Sequence, residues 1–411
     1  MTVPSGWTVS LLDDVAVRGS GHTPDQRRAD YWDGDIEWVS LADSGQLDAG
    51  YINTTARRIS SLGVSHSSAV LHPAETVVMS RDAGVGKLAV LARPMAVSQH
   101  FIAWDCESKG SMSPWFLYYL LQSQKSYFER MAVGSTIKTI GLPLFKRLTV
   151  TYPPLPEQRK IAEILRTWDD AIDWMSRSVA AQVERRGAIV ARLIFGEGAP
   201  QGTRWVKANP AWNIMRIGEV ASERSVRNAD LSTDAVLSCS KHHGFLRSSD
   251  YFGRTVHSAD LSNYKVVLRN EFGFPSNHIE EGSIGLQNVV DAGAVSPIYT
   301  VFAFDEARIY AKFAILVLKS KHYAEMFRAS TSATVDRRGS LRWKQFSTLP
   351  FPVPPMTEQK RISDIAASMD DELNHTRALL SQMETQKRGL MQQLLTGKIR
   401  VNVDEGEAAS V

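Results

Sequence analysis

Apolar residues recur in steps of mostly three and four along two long stretches of the chain. In the first stretch these positions are Ile161, Leu165, Trp168, Ile172, Met175 and Val179. In the second they are Ile362, Ile365, Met369, Leu373, Leu379, Met383, Leu390 and Leu394, in a looser register. Because a repeat of about 3.5 residues places side chains on one face of a helix, the pattern predicts two long helices that pack together. Gly196 and Gly397 follow the apolar positions and predict where the helices end.

The segment that leads into each long helix is repeated. Residues 153–161 (PPLPEQRKI) recur 201 residues later as residues 354–362 (PPMTEQKRI). Further identical pairs at the same spacing are Phe145 and Phe346, Leu148 and Leu349, Asp169 and Asp370, and Asp170 and Asp371. An internal repeat of this length indicates that the two halves of the chain share one architecture.

Shorter elements lie before each helix. Apolar residues 101–104 and 299–304 predict matching buried strands, residues 115–122 a helix, and residues 346–353 a strand. The predicted fold class is α+β, with two mixed α/β globular units separated by two long coiled-coil helices. The repeat makes the helices antiparallel and gives the chain a pseudo-two-fold axis.

The sequence predicts five segments. The globular units are residues 1–152 and 199–352, the long helices are residues 153–198 and 353–399, and residues 400–411 form a small acidic tail that we expect to be disordered.

The composition is that of an ordinary globular protein. Hydrophobic residues make up 43% and charged residues 22% of the 411 positions, and the net charge is +3. No stretch of about 18 apolar residues could span a bilayer, and the first residues lack a signal-peptide pattern. The two cysteines, Cys106 and Cys239, fit a reducing compartment. We expect a soluble cytoplasmic protein in which any phosphate-binding surface is a local cluster of basic side chains.

The repeated PPxxEQ segments, each followed by two basic residues and isoleucine, resemble those of specificity subunits of type I restriction–modification systems. Residues 387–398 (KRGLMQQLLTGK), at the end of the second helix, are similar to the same family. Residues 77–87 (VVMSRDAGVGK) and 134–138 (GSTIK) resemble stretches of the family's target-recognition domains. The second half departs from this glycine pattern at residues 274–277 and 331–334.

The resemblance implies a DNA-binding subunit without an active site of its own. Each globular unit would be a target-recognition domain that reads one half of a split sequence in double-stranded DNA. The helices would hold two methyltransferase subunits, and two restriction subunits would join them. S-adenosylmethionine, ATP and Mg²⁺ would bind those partners, so we expect no cofactor and no metal on this chain, and no membrane partner.

Basic side chains beside turns and aromatic residues are the predicted DNA contacts. In the first half they are Arg81, Lys87 and Lys138, and in the second half Lys241, His242, His243, Arg247, Arg254, Arg337, Arg338 and Arg342. The alternative is that these charges are solvated and that Tyr251 and Phe252, between Arg247 and Arg254, pack in a core.

Three other motifs have weaker chemical interpretations. Gly84-Val85-Gly86-Lys87 is similar to a phosphate loop but lacks its first glycine and its final Ser or Thr. Asp82 with Glu107 and Lys109 has the residue types of a Mg²⁺-dependent nuclease, and Cys239 with the following histidines lacks a fourth zinc ligand. The rival hypotheses are therefore a stand-alone nuclease or methyltransferase with unrecognised motifs, and a coiled-coil scaffold that binds only protein.

Overall fold

The computed structural model describes residues 3–196, 212–253, 257–332 and 340–403. It divides into two compact units. Unit 1 comprises Met1–Ser176 and Leu379–Val411, and unit 2 comprises Arg177–Ala378. Each unit therefore contains one globular region and a part of each long helix.

The first globular region and its helix span residues 3–196. The strands are β1 (Thr8–Leu11), β2 (Val17–Ser20), β3 (Trp32–Val39), β4 (Tyr51–Ile52), β5 (Arg58–Ile59), β6 (Leu71–His72), β7 (Val77–Ser80), β8 (Leu88–Leu91), β9 (Met95–Val97), β10 (Phe101–Asp105) and β11 (Thr149–Tyr152). The helices are α1 (Leu12–Val15), α2 (Ser61–Ser65), α3 (Pro114–Ser123), α4 (Lys125–Met131), α5 (Leu142–Lys146) and α6 (Leu155–Phe195).

The second region begins at residue 212. Its strands are β12 (Asn213–Arg216), β13 (Ala221–Arg224), β14 (Leu237–Ser240), β15 (Gly244–Arg247), β16 (Lys265–Leu268), β17 (Phe272–Pro275), β18 (Gly285–Leu286), β19 (Ala292–Val295), β20 (Tyr299–Phe304) and β21 (Pro350–Val353). Its helices are α7 (Ile217–Val220), α8 (Ser248–Phe252), α9 (Ala311–Leu318), α10 (Lys321–Ser332), α11 (Trp343–Phe346) and α12 (Met356–Leu395).

The sheets of the two units repeat. Unit 1 has a five-stranded sheet of order β2-β10-β7-β8-β4, and unit 2 has a four-stranded sheet of order β13-β20-β17-β18. In both units a strand near the start pairs with the strand that enters the long helix, β1 with β11 and β12 with β21. The buried strands predicted at residues 101–104 and 299–304 are confirmed as β10 and β20. The first of them lies inside the larger sheet, between β2 and β7.

The strand predicted at residues 346–353 is wrong in its first part, because only Pro350–Val353 is extended. Phe346 ends the helical turn α11, where its backbone N–H donates to the carbonyl of Arg342 at 2.9 Å. This turn places the rings of Trp343 and Phe346 against Phe302, at centroid distances of 5.6 and 5.0 Å. Burial of two aromatic rings outweighs the strand preference of the local sequence.

The long helices are antiparallel within each unit. In unit 1 the Lys387 ammonium, late in α12, pairs with Asp169, early in α6. In unit 2 the amide of Gln182, late in α6, donates to the hydroxyl of Thr376, early in α12, at 3.2 Å. Early residues of one helix thus contact late residues of the other, as the repeat predicts.

The buried face of each helix follows a regular seven-residue repeat. In α6 the non-exposed positions at steps of four and three are 161, 165, 168, 172, 175, 179, 182, 186, 189 and 193, and in α12 they are 362, 366, 369, 373, 376, 380, 383, 387, 390 and 394. The predicted packing residues Ile161, Leu165, Trp168, Ile172, Val179, Ile362, Met369, Met383 and Leu390 all lie on these faces.

Two predicted packing residues do not lie on the buried face. Leu379 is 39% exposed, and Ile365 is half-buried one position away from the repeat. The regular position beside Ile365 is the small Ala366, and polar Thr376 and Lys387 occupy regular positions around Leu379, so a search for large apolar residues skips all three. The spacing of apolar residues alone therefore predicts a register for α12 that differs from the observed one at these two positions.

Glycine ends both long helices, as predicted. Gly196 has φ +77° and Gly397 has φ +66°, the left-handed region that favours glycine after a helix. Beyond Gly397 the Arg400 guanidinium makes two bonds of 2.6 and 2.7 Å to the buried Glu157 carboxylate, and it donates to the carbonyl of Ser5 at 2.7 Å. Of the tail predicted at residues 400–411, residues 404–411 lie outside the described residues, and Arg400 is not disordered because these bonds hold it.

Among the described residues, none of the helices combines the length and apolarity that crossing a bilayer requires.

Candidate nucleic-acid interface

The repeated motif before each long helix places a glutamine inside the protein. The Gln158 side chain is fully buried, accepts from the Ser113 backbone N–H at 2.8 Å, and donates to the carbonyls of Ser111 and Pro153 at 3.0 and 2.9 Å. In this way the amide ties the first turn of α6 to the start of α3.

Unit 2 repeats this arrangement with Gln359. Its amide accepts from the Tyr310 N–H at 2.7 Å and donates to the carbonyls of Arg308 and Pro354 at 2.8 and 2.9 Å. Because the bonds match one for one, the motif fixes each globular region on its helix. The sequence repeat identified these residues without indicating this role.

In unit 1 the structure brings together the two segments that carry the family resemblance. The Ile140 N–H donates to the carbonyl of Arg81 at 2.9 Å, and Thr139 forms an antiparallel bridge with Asp82. Gly134, with φ +132°, permits the tight turn, since a Cβ there would lie 2.1 Å from the Ile137 carbonyl oxygen. The segments 81–87 and 133–139 thus form one surface.

A shallow groove of about 470 Å³ lies between these two segments. Lys138 is exposed at its edge, whereas Arg81 is half-buried. The Lys87 ammonium donates to the carbonyl of Ser44 at 2.9 Å, so it would have to exchange this bond to reach a phosphate. The DNA contacts of all three side chains stay predictions.

In unit 2 the predicted residues Lys241, His242 and His243 are exposed on the turn that joins β14 to β15. Lys319 supports this turn, because its ammonium donates to the carbonyls of Lys241 and Gly282 at 2.7 and 3.0 Å. Burial lowers the pKa of Lys319.

The other predicted contacts of unit 2 are divided between exposed and undescribed positions. Arg247 is exposed at the end of β15, and Arg342 is exposed at the start of α11. Arg254, Arg337 and Arg338 lie outside the described residues.

The aromatic pair beside Arg247 does not belong to a core. Tyr251 and Phe252 are 49% and 47% exposed, and their ring centroids are 4.7 Å apart. The alternative of core packing for these two rings is therefore wrong, and they form an exposed aromatic surface at the end of α8.

The geometry rules out the phosphate-loop and nuclease interpretations. The Gly84–Lys87 turn joins the antiparallel strands β7 and β8, whereas a phosphate loop joins a strand to a helix. Asp82 contacts His100, just before β10, whereas Glu107 follows that strand. A strand of this length separates its two ends by roughly 15–20 Å, so these carboxylates cannot share a metal ion.

The zinc interpretation also fails in the described residues. Burial raises the pKa of the Cys239 thiol to about 12, which disfavours the thiolate that zinc requires. Within the described chain, the group of acidic, histidine or cysteine side chains close enough to hold a metal is His278, Glu280 and Glu281, and it does not include Cys239.

Comparison with known proteins gives a consistent result. The family model described as the type I restriction modification DNA specificity domain matches residues 4–185. The chain is 25% identical over 236 residues to the type I restriction enzyme MjaIX specificity subunit of Methanocaldococcus jannaschii, a match that covers 55% of this chain and 54% of that protein. It is 23% identical over 311 residues to the MjaVIII specificity subunit of the same organism, covering 71% of each chain. The chain thus spans about half the length of the first of these relatives.

Solved structures show the same fold. The S subunit of a type I restriction–modification system from M. genitalium aligns with a TM-score of 0.53 and 16% identity, over 96% of this chain and 98% of that one. A chain from a study of complex assembly and conformational transition of the type I R-M system aligns with a TM-score of 0.61 and 14% identity, over 97% and 100%. The chain is thus similar to type I specificity subunits in sequence over residues 4–185, and it shares the fold of these solved structures.

Unit 1 also carries a row of polar side chains that basic-residue patterns do not reveal. The Thr23 hydroxyl donates to the Gln99 side-chain carbonyl at 2.6 Å, and His100 Nδ1 pairs with the Asp82 carboxylate at 2.6 Å. Gln99 is exposed and His100 is half-buried. The row adjoins the surface of segments 81–87 and 133–139 through Asp82. Its residues are short or neutral, so only the folded chain identifies them as neighbours.

Proposed function

We propose that each unit binds one half of a split target in double-stranded DNA, and that the chain confers this sequence specificity on a restriction–modification complex. One observation carries the proposal: both units build the same buried frame but expose unlike side chains on it. A common frame with different surfaces suits two domains that perform one task on two different base sequences. The match of residues 4–185 to the type I restriction modification DNA specificity domain supports the same function.

The partners in this proposal are two methyltransferase subunits and two restriction subunits. The relatives are named specificity subunits of type I restriction enzymes, and one structural neighbour comes from a study of assembly of such a system. On this chain, Trp174 in α6 is 63% exposed, and a large exposed aromatic side chain is typical of a surface that a partner covers. S-adenosylmethionine, ATP and Mg²⁺ would be bound by the partners.

A domain exchange tests the proposal. Residues 1–152 are replaced by the corresponding region of another family member, and methylated sites are mapped across the host genome. We expect one half-site to change and the other to be retained. A change in both half-sites, or methylation unaffected by the exchange, would contradict separate reading by the two units.

An activity assay separates this function from that of a stand-alone enzyme. The purified chain is incubated with duplex DNA, Mg²⁺ and S-adenosylmethionine, first alone and then with its methyltransferase subunits. We expect methyl transfer only when the partners are present. Cleavage or methylation by the chain alone would replace the proposal with the enzymatic alternative.

A further inference from the structure

We propose that the turn before β10 in unit 1 and the turn before β20 in unit 2 are equivalent base-reading positions, at which Gln99 recognises adenine and Ile298 recognises the methyl group of thymine. The inference rests on the proposed function, because it assigns residues to DNA reading by the two units.

The two turns have the same backbone frame. The Phe101 N–H donates to the Ser98 carbonyl at 3.1 Å, and in unit 2 the Tyr299 N–H donates to the Ser296 carbonyl at 2.9 Å. The equivalence therefore pairs Gln99 with Pro297 and His100 with Ile298.

Each turn is bonded to a second segment of its unit, and that segment is bonded to a third. In unit 1 the Arg81 N–H donates to the His100 carbonyl at 2.9 Å, and the Arg81 carbonyl accepts from Ile140 at 2.9 Å. In unit 2 Ser276 stands in the place of Arg81. Its N–H donates to the Ile298 carbonyl at 3.3 Å, and its carbonyl accepts from the Leu341 N–H at 2.9 Å. A turn anchored to the backbone of a segment that is itself bonded to a third segment is a rigid support for side chains that must meet base edges in a fixed geometry.

The side chains on this frame differ in chemistry. In unit 1 the turn exposes the Gln99 amide, which the Thr23 hydroxyl orients at 2.6 Å. Because an amide oxygen has two lone pairs, Gln99 Oε1 can still accept a second hydrogen bond. In unit 2 the turn exposes Pro297 and Ile298, of which Ile298 is 50% exposed. One turn thus offers paired hydrogen-bonding atoms, and the other offers an apolar surface.

These chemistries match two different base edges in the major groove. A glutamine amide can accept from the N6 amino group of adenine and donate to its N7, whereas an apolar side chain contacts the C5 methyl group of thymine. Basic residues that could bind phosphates are exposed on the next segment of each hydrogen-bonded series, Lys138 near Ile140 in unit 1 and Arg342 beside Leu341 in unit 2. A reading position needs such a flank, since phosphate contacts hold the protein in register on the duplex.

The experiment uses the full chain with its methyltransferase subunits and a library of randomised duplexes. Selected duplexes are sequenced, and affinities are then measured on single-base variants of the wild-type target. We expect Gln99→Ala to reduce discrimination for adenine by about 5- to 150-fold at one base pair of one half-site. Gln99→Glu should move the preference at that base pair from adenine toward cytosine, because a carboxylate accepts from the cytosine amino group.

A thymine-to-uracil substitution tests Ile298, since it removes only the methyl group. Loss of one buried methyl contact should weaken wild-type binding about fourfold at one position of the other half-site. The Ile298→Ala variant should show no such difference between the two bases. Gln382→Ala and Leu268→Ala, at exposed positions on α12 and at the end of β16, are matched controls that should leave both half-sites unchanged.

The outcomes separate this inference from the proposed function. Wild-type discrimination retained by Gln99→Ala and Ile298→Ala at every position would overturn the inference and leave the proposed function intact. Loss of preference in both half-sites from either single change would also overturn it, because a base contact acts locally. If the wild-type complex selects no sequence at all, the proposed function fails together with the inference.

Discussion

The two units share hydrogen bonds to buried main-chain groups and differ in the side chains that they expose. Gln158 and Gln359 make the same three hydrogen bonds, whereas the turns at Gln99 and Ile298 share a backbone and expose opposite chemistries. The buried bonds can be conserved because they involve main-chain groups, whose positions the fold fixes. The exposed side chains can differ because they do not pack in the core of their unit. The comparison shows that the repeat preserves a frame and not a binding surface.

Buried side chains also differ between the units, and one of these differences involves a titratable group. His72 on β6 pairs with Met95 of β9, and by the alignment of Ala96 with Ala294, Val267 occupies the matching place in unit 2. Both side chains are buried, but one can take up a proton and the other cannot. At this site, therefore, unit 1 buries a titratable side chain and unit 2 does not.

The largest expected effect concerns the equivalent core phenylalanines. Phe145→Ala and Phe346→Ala should each lower the free energy of unfolding of their own unit by about 3–5 kcal/mol, because both rings are fully buried. Hydrogen exchange read peptide by peptide assigns the loss to a unit, which a single denaturation curve of a two-unit chain does not. A much smaller loss in one unit would contradict the equivalence of the two cores.

The buried amides should give the next largest effect. Gln158→Ala and Gln359→Ala each leave one backbone N–H and two carbonyls without their partner, at a cost of about 2–3 kcal/mol. The amide protons of Ser113 and Tyr310 should exchange faster in the respective variants. Gln382→Ala, at an exposed position, is the control. If it lowers the free energy of unfolding as much as the two buried substitutions do, the buried hydrogen bonds are not the cause of the loss.

Acidification should weaken unit 1 through His72. Burial lowers the pKa of His72 below its ordinary value of 6.5, so the unfolded chain binds the proton first. Stability of unit 1 is therefore retained above pH 6.5 and falls as the pH drops from there toward the lowered pKa. His72→Val, which copies Val267, should remove this part of the pH dependence. Hydrogen exchange of unit 1 at several pH values measures this pH dependence. His322 of unit 2, whose pKa is also lowered by burial, is unchanged in both proteins and provides the comparison.

The smallest effect is expected at the exposed basic side chains. Lys138→Ala and Arg342→Ala should each reduce the slope of log affinity against log salt by about 0.9, if each contacts one phosphate. Lys109→Ala is the matched control, because this exposed lysine follows the opposite end of β10 from the Gln99 turn. An unchanged slope for Lys138→Ala or Arg342→Ala would mean that the side chain does not contact a phosphate.

Much of the fold was predictable because the repeat constrains it. The internal sequence repeat predicts the antiparallel helices, their glycine ends and the matching strands β10 and β20. The register of α12 was not predictable from apolar residues, since Thr376 and Lys387 lie on its buried face and Leu379 does not. Their polar contacts with α6 are formed by residues about 200 positions away, which local spacing does not contain.

The candidate site was less predictable than the fold. The family resemblance selected segments 81–87 and 134–138, and the structure places them side by side. The resemblance does not indicate that the Lys87 side chain turns inward to the Ser44 carbonyl, because that bond depends on how a distant loop packs. Gln99 and Ile298 carry no charge and belong to no motif, so only the matched hydrogen bonds of the two turns identify them.

The contact of Arg400 with Glu157 has a consequence for how the chain acquires its structure during synthesis. Unit 2 is one continuous stretch, whereas the core of unit 1 includes Leu394 and Leu395 from the end of α12. A ribosome therefore releases every residue of unit 2 before it supplies the last pieces of unit 1. The first region to emerge is the last to be completed, and until then its apolar surface depends on protection from aggregation.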